Sequence, residues 1–395
     1  MRDNYRDLFP LKGGTTPLNH GSFGKCPLEI IRFRNELADE MEYLSTIFYT
    51  RKSRELIEMS RSILSDFIGT PSKDTVFVKN ATTGVNTVIN SISFEKNDEV
   101  VTTNLIYSSC RNLLEKMVKE KSIKVRTAEI SLFPKNGEEI YQKIIGETTE
   151  RTKLIFIDHI SSESALIMPV KKIAEFAAKK GIAILVDGAH APGMIPLDIT
   201  ELGVTYYTGN CHKWICAPKG AAFLYVKPEK QNEIKPLIIS RFFNIGKTAN
   251  ERFQNAFFWQ GTMDYISYIC VGKTIEFIEE SVNGGWKEVM KKNHKLVIIG
   301  RKIICKKLNI KDWAPDELTG SITTLKLGSK KLIDEKTGLD IIQLELFDKF
   351  GIETLISTIY PTDDRILRLS AAIYNCEEDY EKLGEALKII SEESD

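Results

Sequence analysis

Residues 75–226 alternate short, strand-like apolar runs with amphipathic helical segments, and that alternation leaves few folds open. "TVFVK" (75–79) is β-branched and aromatic, and "ATTGVNTVINSIS" after it places Val85, Val88, Ile89 and Ile92 at helical spacing. "DEVVTTN" (98–104) leads into "CRNLLEKMVKEK", with Leu113, Leu114, Met117 and Val118 on one face. "KLIFIDHI" (153–160) is nearly all apolar, as a strand covered on both sides must be. It precedes "VKKIAEFAAKKG", a helix ending in basic residues and glycine. "IAILVDGAH" (182–190), "VTYYTGN" (204–210) and "AAFLYV" (221–226) follow. Such alternation predicts right-handed βαβ crossovers and a largely parallel sheet, whose ligands sit at the carboxyl ends of the strands. "NATTG", "DGAHAPG" and "TGNCHKW" fall at those ends.

Beyond about residue 265 the texture changes. Residues 270–310 are Lys-rich and helical, and "GSITTLKL" (320–327) and "ILRLSAAIYN" (366–375) read as strands beside a helical "GLDIIQLELFDKFG". A second, smaller α+β domain is expected there. The division drawn is an N-terminal arm over 1–25, a large domain over 26–265 and a small domain over 266–395.

Lys+Arg and Asp+Glu both number 54, which argues against nucleic-acid or membrane-surface partners and for a small-molecule one. Seven Cys, none in a C-x-x-C, read as reduced thiols. The N-terminal "MRDNYRDLFPLKGG" has no apolar core for a signal peptide, and no run is long enough to span a membrane. A cytoplasmic protein is expected.

The chemistry gathers in two loops. Asp187 ends an apolar strand, where a carboxylate is costly unless a cation or an N-cap uses it. Lys213 ends the next strand-like run. Either residue alone is unremarkable, an N-capping aspartate or a solvated lysine. Together they suit pyridoxal phosphate, which needs an amine for a Schiff base, an acid for its ring nitrogen and a cradle for its phosphate. Lys213 is the amine and Asp187 the acid; His190 is in sequence reach of the phenolic oxygen, though a loop histidine needs no such role. Thr82 and Thr83, where a strand turns into a helix, offer N–H and hydroxyl groups to a dianion and serve equally as N-capping residues. A metal site finds no support: there is no H-E-x-x-H and no paired Cys spacing.

"DGAHAPG" followed by "YTGNCHKWICAPKGAAFLYV" resembles the class V aminotransferase family of fold-type I pyridoxal phosphate enzymes. "PLNHGSFG" (17–24) is similar to the branch holding isopenicillin N epimerases, cysteine desulfhydrases and the sulfoxide C–S lyases of ergothioneine synthesis. The resemblance runs from Leu18 to Asn375. It implies an α/β fold with a mostly parallel, seven-stranded large-domain sheet and a smaller α+β C-terminal domain. It implies that Tyr107 stacks over the cofactor ring, and that Asn210 and His212 reach the phosphate. Gly261 and Thr262 would serve the neighbouring subunit's phosphate, so a homodimer is implied. Arg368 matches the arginine that grips a substrate's α-carboxylate, with Asn19, His20 and Ser162 also on the substrate side. The plainer reading of Arg368 is a surface ion pair with Asp363 or Asp364. One departure is informative: "FGIETLISTIYPTDDRI" lacks the loop Cys of related cysteine desulfurases, which disfavours sulfur relay through a protein persulfide.

The motifs leave three reactions at Cα. β-Elimination from a cysteine-derived amino acid, releasing pyruvate and ammonia, is preferred because it needs neither a keto-acid subsite nor an opposite-face base. Epimerisation would require Tyr107, His20 or another residue as that base, and transamination a second substrate. A non-catalytic binding protein on the same fold is the alternative of another class, and joint retention of Lys213, Asp187 and Arg368 speaks against it.

Overall fold

The computed structural model describes residues 5–328, 332–359, 362 and 364–394. Seven strands form the main sheet: β1 (Thr75–Val78), β2 (Glu99–Thr103), β3 (Lys124–Ala128), β4 (Thr152–Asp158), β5 (Ala183–Asp187), β6 (Tyr206–Asn210) and β7 (Ala222–Val226). Their order is β1-β7-β6-β5-β4-β2-β3. From β6 to β3 every neighbouring pair is parallel, and β7 runs antiparallel to both β6 and β1. The expected mostly parallel α/β sheet is therefore present.

Helices cover both faces. They are α1 (Leu28–Tyr43), α2 (Ser53–Phe67), α3 (Ala81–Ser91), α4 (Ser108–Lys121), α5 (Gly137–Gly146), α6 (Val170–Lys180), α7 (Ala249–Phe258) and α8 (Ile266–Ser281). Alternate residues of one strand go to opposite cores: Leu185 packs with the Val85 and Leu113 side, Val186 with the Leu64 and Ile173 side. This is the two-residue strand period at work, and it sends Asp187 toward α3 and α4. Phe156 shares that face, so Asp158 does too.

A second, three-stranded antiparallel sheet, ordered β9-β10-β8, comprises β8 (Ile322–Gly328), β9 (Leu355–Ile359) and β10 (Asp364–Ser370). It packs with α9 (Gly285–Leu308), α10 (Ile341–Phe350) and α11 (Glu377–Ser394) around Leu325, Leu346, Leu367 and Tyr380. Residues Thr16–Pro17 pair in parallel with Ile352–Glu353, tying the N-terminal segment to this unit.

Three sequence expectations are corrected. Strand β3 was not foreseen: it is an edge strand whose "KVRTA" leaves Lys124 and Thr127 exposed and only Ala128 buried, so it lacks an apolar signature. Val118 stays 40% exposed beside that edge, unlike Leu113, Leu114 and Met117. "ILRLSAAIYN" stops being a strand at Ser370, because Asn375 Oδ1 accepts the Ala372 N–H and folds the chain into a turn.

Candidate active site

Asp158, Asp187 and Asn210 end three adjacent parallel strands, and with Lys213 they line one cleft of about 220 Å³. Its other walls include Asn80, Ala81 and Thr82 at the start of α3, Tyr107 before α4, Ser22 and Phe23 of the N-terminal segment, and Ser162, His190 and His212. The sheet's carboxyl edge thus collects most of the residues singled out from the sequence.

Lys213 is the centre. Burial, reinforced by the Arg368 charge and opposed by Asp187 and Asp158, lowers its ammonium to about 7. Its Nζ lies 2.9 Å from His190 Nε2. Trp214 Nε1 can only donate, and it reaches His190 Nδ1 at 3.4 Å. In the neutral ring the hydrogen therefore sits on Nε2, directed at a free amine on Lys213. His190 is held neutral by burial and by the adjacent Lys213 charge. His212 donates from Nδ1 to the Ala221 carbonyl at 3.1 Å and is lowered to about 4 by burial.

Asp187 is 4% exposed; its Oδ1 accepts the Ala189 N–H at 2.9 Å, and the Cys110 thiol lies 3.7 Å from Oδ2. Burial raises its pKa, against the backbone bond and Lys213, which lower it.

The helix α3 N-terminus is built for close approach. Asn80 is its N-cap, accepting from both Thr83 N and Thr83 Oγ1. Asn210 Oδ1 accepts the Ala81 N–H at 2.9 Å and so pins the helix to β6. A Cβ on Gly84 would collide with Thr208, so only glycine lets α3 lie this near the sheet. Thr82 lines the cleft, while the Thr83 hydroxyl is occupied by the cap.

Arg368 is 2% exposed and makes no ion pair among the described residues. Nη1 donates to the Ser162 carbonyl (2.7 Å) and Oγ (3.3 Å); Nη2 donates to Asn19 Oδ1 (3.0 Å) and Ser22 Oγ (2.5 Å). Nε is buried without a partner. Burial lowers the guanidinium only to about 10, so at neutral pH it is a cation held by neutral groups. That disposes of a surface pair with Asp364, which instead binds Lys326 at 2.7 Å; Asp363 lies outside the described residues.

Three expected residues, His20, Gly261 and Thr262, sit elsewhere. His20 does not line this cleft: Nδ1 meets Tyr374 Oη at 2.7 Å and Nε2 meets the Lys213 carbonyl at 3.0 Å. Burial lowers it to about 3, so it braces the Lys213 main chain as a neutral ring. Gly261 and Thr262 lie outside the cleft of their own chain, Thr262 exposed and Gly261 at φ +101°. Asn80, Ser22 and Asp158 were not anticipated. Asp158 carried the same signal as Asp187, an acid ending an apolar strand; Asn80 and Ser22 are small polar loop residues whose partners only the fold reveals.

The cleft fits pyridoxal phosphate on the structure's own terms. It offers a half-buried amine, a buried acid on the neighbouring strand, a capped helix N-terminus pinned close by and, behind Ser22 and Ser162 of its wall, a buried guanidinium with neutral partners. An aminotransferase class-V sequence profile matches residues 45–383, and the chain belongs to that family. It is 28% identical to the isopenicillin N epimerase of Streptomyces clavuligerus, covering 95% of each chain. It is 27% identical to a probable chloroplastic L-cysteine desulfhydrase of Arabidopsis thaliana, covering 94% of this chain and 82% of the relative. A solved cystine C–S lyase, C-DES, in complex with cysteine persulfide superposes with a TM-score of 0.79 at 18% identity, over 96% of this chain and 98% of that one.

Proposed function

We propose that the protein is a pyridoxal 5'-phosphate-dependent C–S β-lyase acting on a cysteine-derived amino acid. The observation that carries the reading is Lys213, a half-buried lysine lowered to about 7, with its Nζ 2.9 Å from a neutral His190 and Asp187 ending the strand beside it. When bound, the cofactor supplies an aldehyde for amines and an electron sink for the Cα carbanion.

The chain's own residues do the rest. Lys213 would hold the cofactor covalently and, as a free amine, would take the Cα proton as general base. Asp187 keeps the ring nitrogen protonated. Thr82, with Thr83, Asn210 and His212 behind it, holds the phosphate end at the α3 N-terminus. Tyr107 covers the ring face. Arg368 exchanges the neutral oxygens of Asn19 and Ser22 for a substrate carboxylate, with Ser162 steadying its other nitrogen. The Cβ–S bond then breaks toward sulfur, and water completes the balance to pyruvate, ammonia and a thiol. His20, turned onto Tyr374 and the Lys213 carbonyl, does not serve as an opposite-face base, which leaves Tyr107 of the two named candidates.

The residue 1–25 arm delivers Asn19 and Ser22 to Arg368. A large domain over 26–265 and a small one over 266–395 remain our division, although α8 buries Tyr268 and Ile269 in the core that the large-domain strands share. The assembly is a homodimer in which Gly261 and Thr262 serve the partner's phosphate end. The free cysteines suit a reducing cytoplasm. No helix among the described residues is long and apolar enough to cross a membrane.

The test is product analysis with loaded enzyme across a panel of S-substituted cysteines. Equimolar pyruvate and thiol are expected. Racemised substrate, or a keto acid without thiol release, overturns the reading.

A further inference from the structure

Asp158 has no role so far, yet it is as deeply placed as Asp187. The two are register partners across the parallel β4–β5 pair, face the same side of the sheet, are each 4% exposed and both line the cleft. Their surroundings differ. Asp187 has the Ala189 N–H and the Cys110 thiol. Asp158 has the Tyr107 backbone N–H, and its Oδ1 is buried with no partner. The charged groups facing Asp158 are the carboxylates of Asp187 and Glu163 and the Lys213 amine; Glu163 is itself faced by Arg111 and Arg368.

Two carboxylates side by side in a dry cleft do not both ionise; the one with more donors keeps the charge. An unpartnered buried carboxylate oxygen is costly, whereas a carboxylic acid there is a donor waiting for an acceptor. We propose that Asp158 and Asp187 carry a single negative charge between them, with Asp158 a neutral acid that donates its O–H to an anionic oxygen of the bound cofactor. Burial and the Asp187 charge both act in that direction.

The acceptor is the phenolic oxygen. That oxygen belongs to the ring whose nitrogen Asp187 would hold, and Asp158 ends the strand beside Asp187 in register with it. His190, the sequence's candidate for that oxygen, also lines the cleft, its Nε2 2.9 Å from Lys213 Nζ, so Asp158 is a second donor to the same oxygen. This second half rests on the cofactor reading; the shared charge does not.

Two measurements separate them. The infrared difference spectrum of wild-type minus Asp158→Asn apoprotein at neutral pH is expected to show the C=O band of a protonated acid. A carboxylate doublet in its place overturns the shared charge. In the holoenzyme, Asp158→Asn, which keeps a neutral donor, is expected to hold pyridoxal 5'-phosphate within about threefold of wild type. Asp158→Leu, matched in size without a donor, is expected to weaken it about tenfold or more and to move the visible absorption maximum. Unchanged affinity and absorption in Asp158→Leu overturn the donor role. Failure of wild type to bind the cofactor overturns the functional reading, while the apoprotein spectrum still decides the shared charge.

Discussion

Lys213 reacts only as a free amine, and burial plus Arg368 bring its ammonium to about 7. The rate of pyridoxal 5'-phosphate incorporation into apoprotein is therefore expected to rise with pH through about 7 and then level. In Arg368→Leu, which removes a repelling charge, the rise should move to higher pH; an unmoved profile contradicts the electrostatic account. Arg368→Lys keeps the charge and loses the planar fork. Cofactor loading is expected to stay intact while kcat/KM for an amino-acid substrate falls about tenfold to a hundredfold, mostly through KM. An unchanged kcat/KM excludes a carboxylate role. Lys213, Asp187 and Arg368 were legible because a strand end or a matched motif marks each one. The bonds of the Thr83 hydroxyl to Asn80 and of the His20 ring to Tyr374 were not legible, because a sequence names residues without naming partners.

At the scale of elements, the N-terminal segment and the small sheet meet over Lys213. Gly24 sits at φ +68°, and a Cβ there would run into the carbonyls of His212 and Lys213. Gly24→Ala combines a left-handed backbone with a backbone collision, a cost of about 1–3 kcal/mol. A lower thermal midpoint is expected, together with a raised KM as Asn19 and Ser22 shift from Arg368. A KM equal to wild type would mean that the segment does not position the guanidinium. The apolar strands β1, β4, β5 and β7 were legible from composition alone, since strands buried on both faces leave no room for polar residues. Strand β3 was not, because an edge tolerates Lys124 and Arg126, and the end of β10 was hidden in an Asn375 side chain that replaces the sheet's next rung.

For the whole molecule, zero net charge and the strand–helix alternation pointed to a small-molecule enzyme, but neither encodes what a partner subunit contributes. Leu237, Ile238, Ile239 and Ile245 stand 47–57% exposed, an apolar stretch that a homodimer would cover. Sedimentation is expected to give twice the chain mass. If Thr262 serves the partner, Lys213→Ala and Thr262→Glu proteins, each inactive, should regain activity when exchanged into mixed dimers; no recovery contradicts the shared site. The central claim is that one lysine at the carboxyl edge of this sheet holds pyridoxal 5'-phosphate. Borohydride reduction of the loaded protein followed by peptide mass spectrometry tests it most directly. The account requires the pyridoxyl mass on the peptide containing Lys213 and its disappearance in Lys213→Ala; label on any other lysine, or on none, contradicts it.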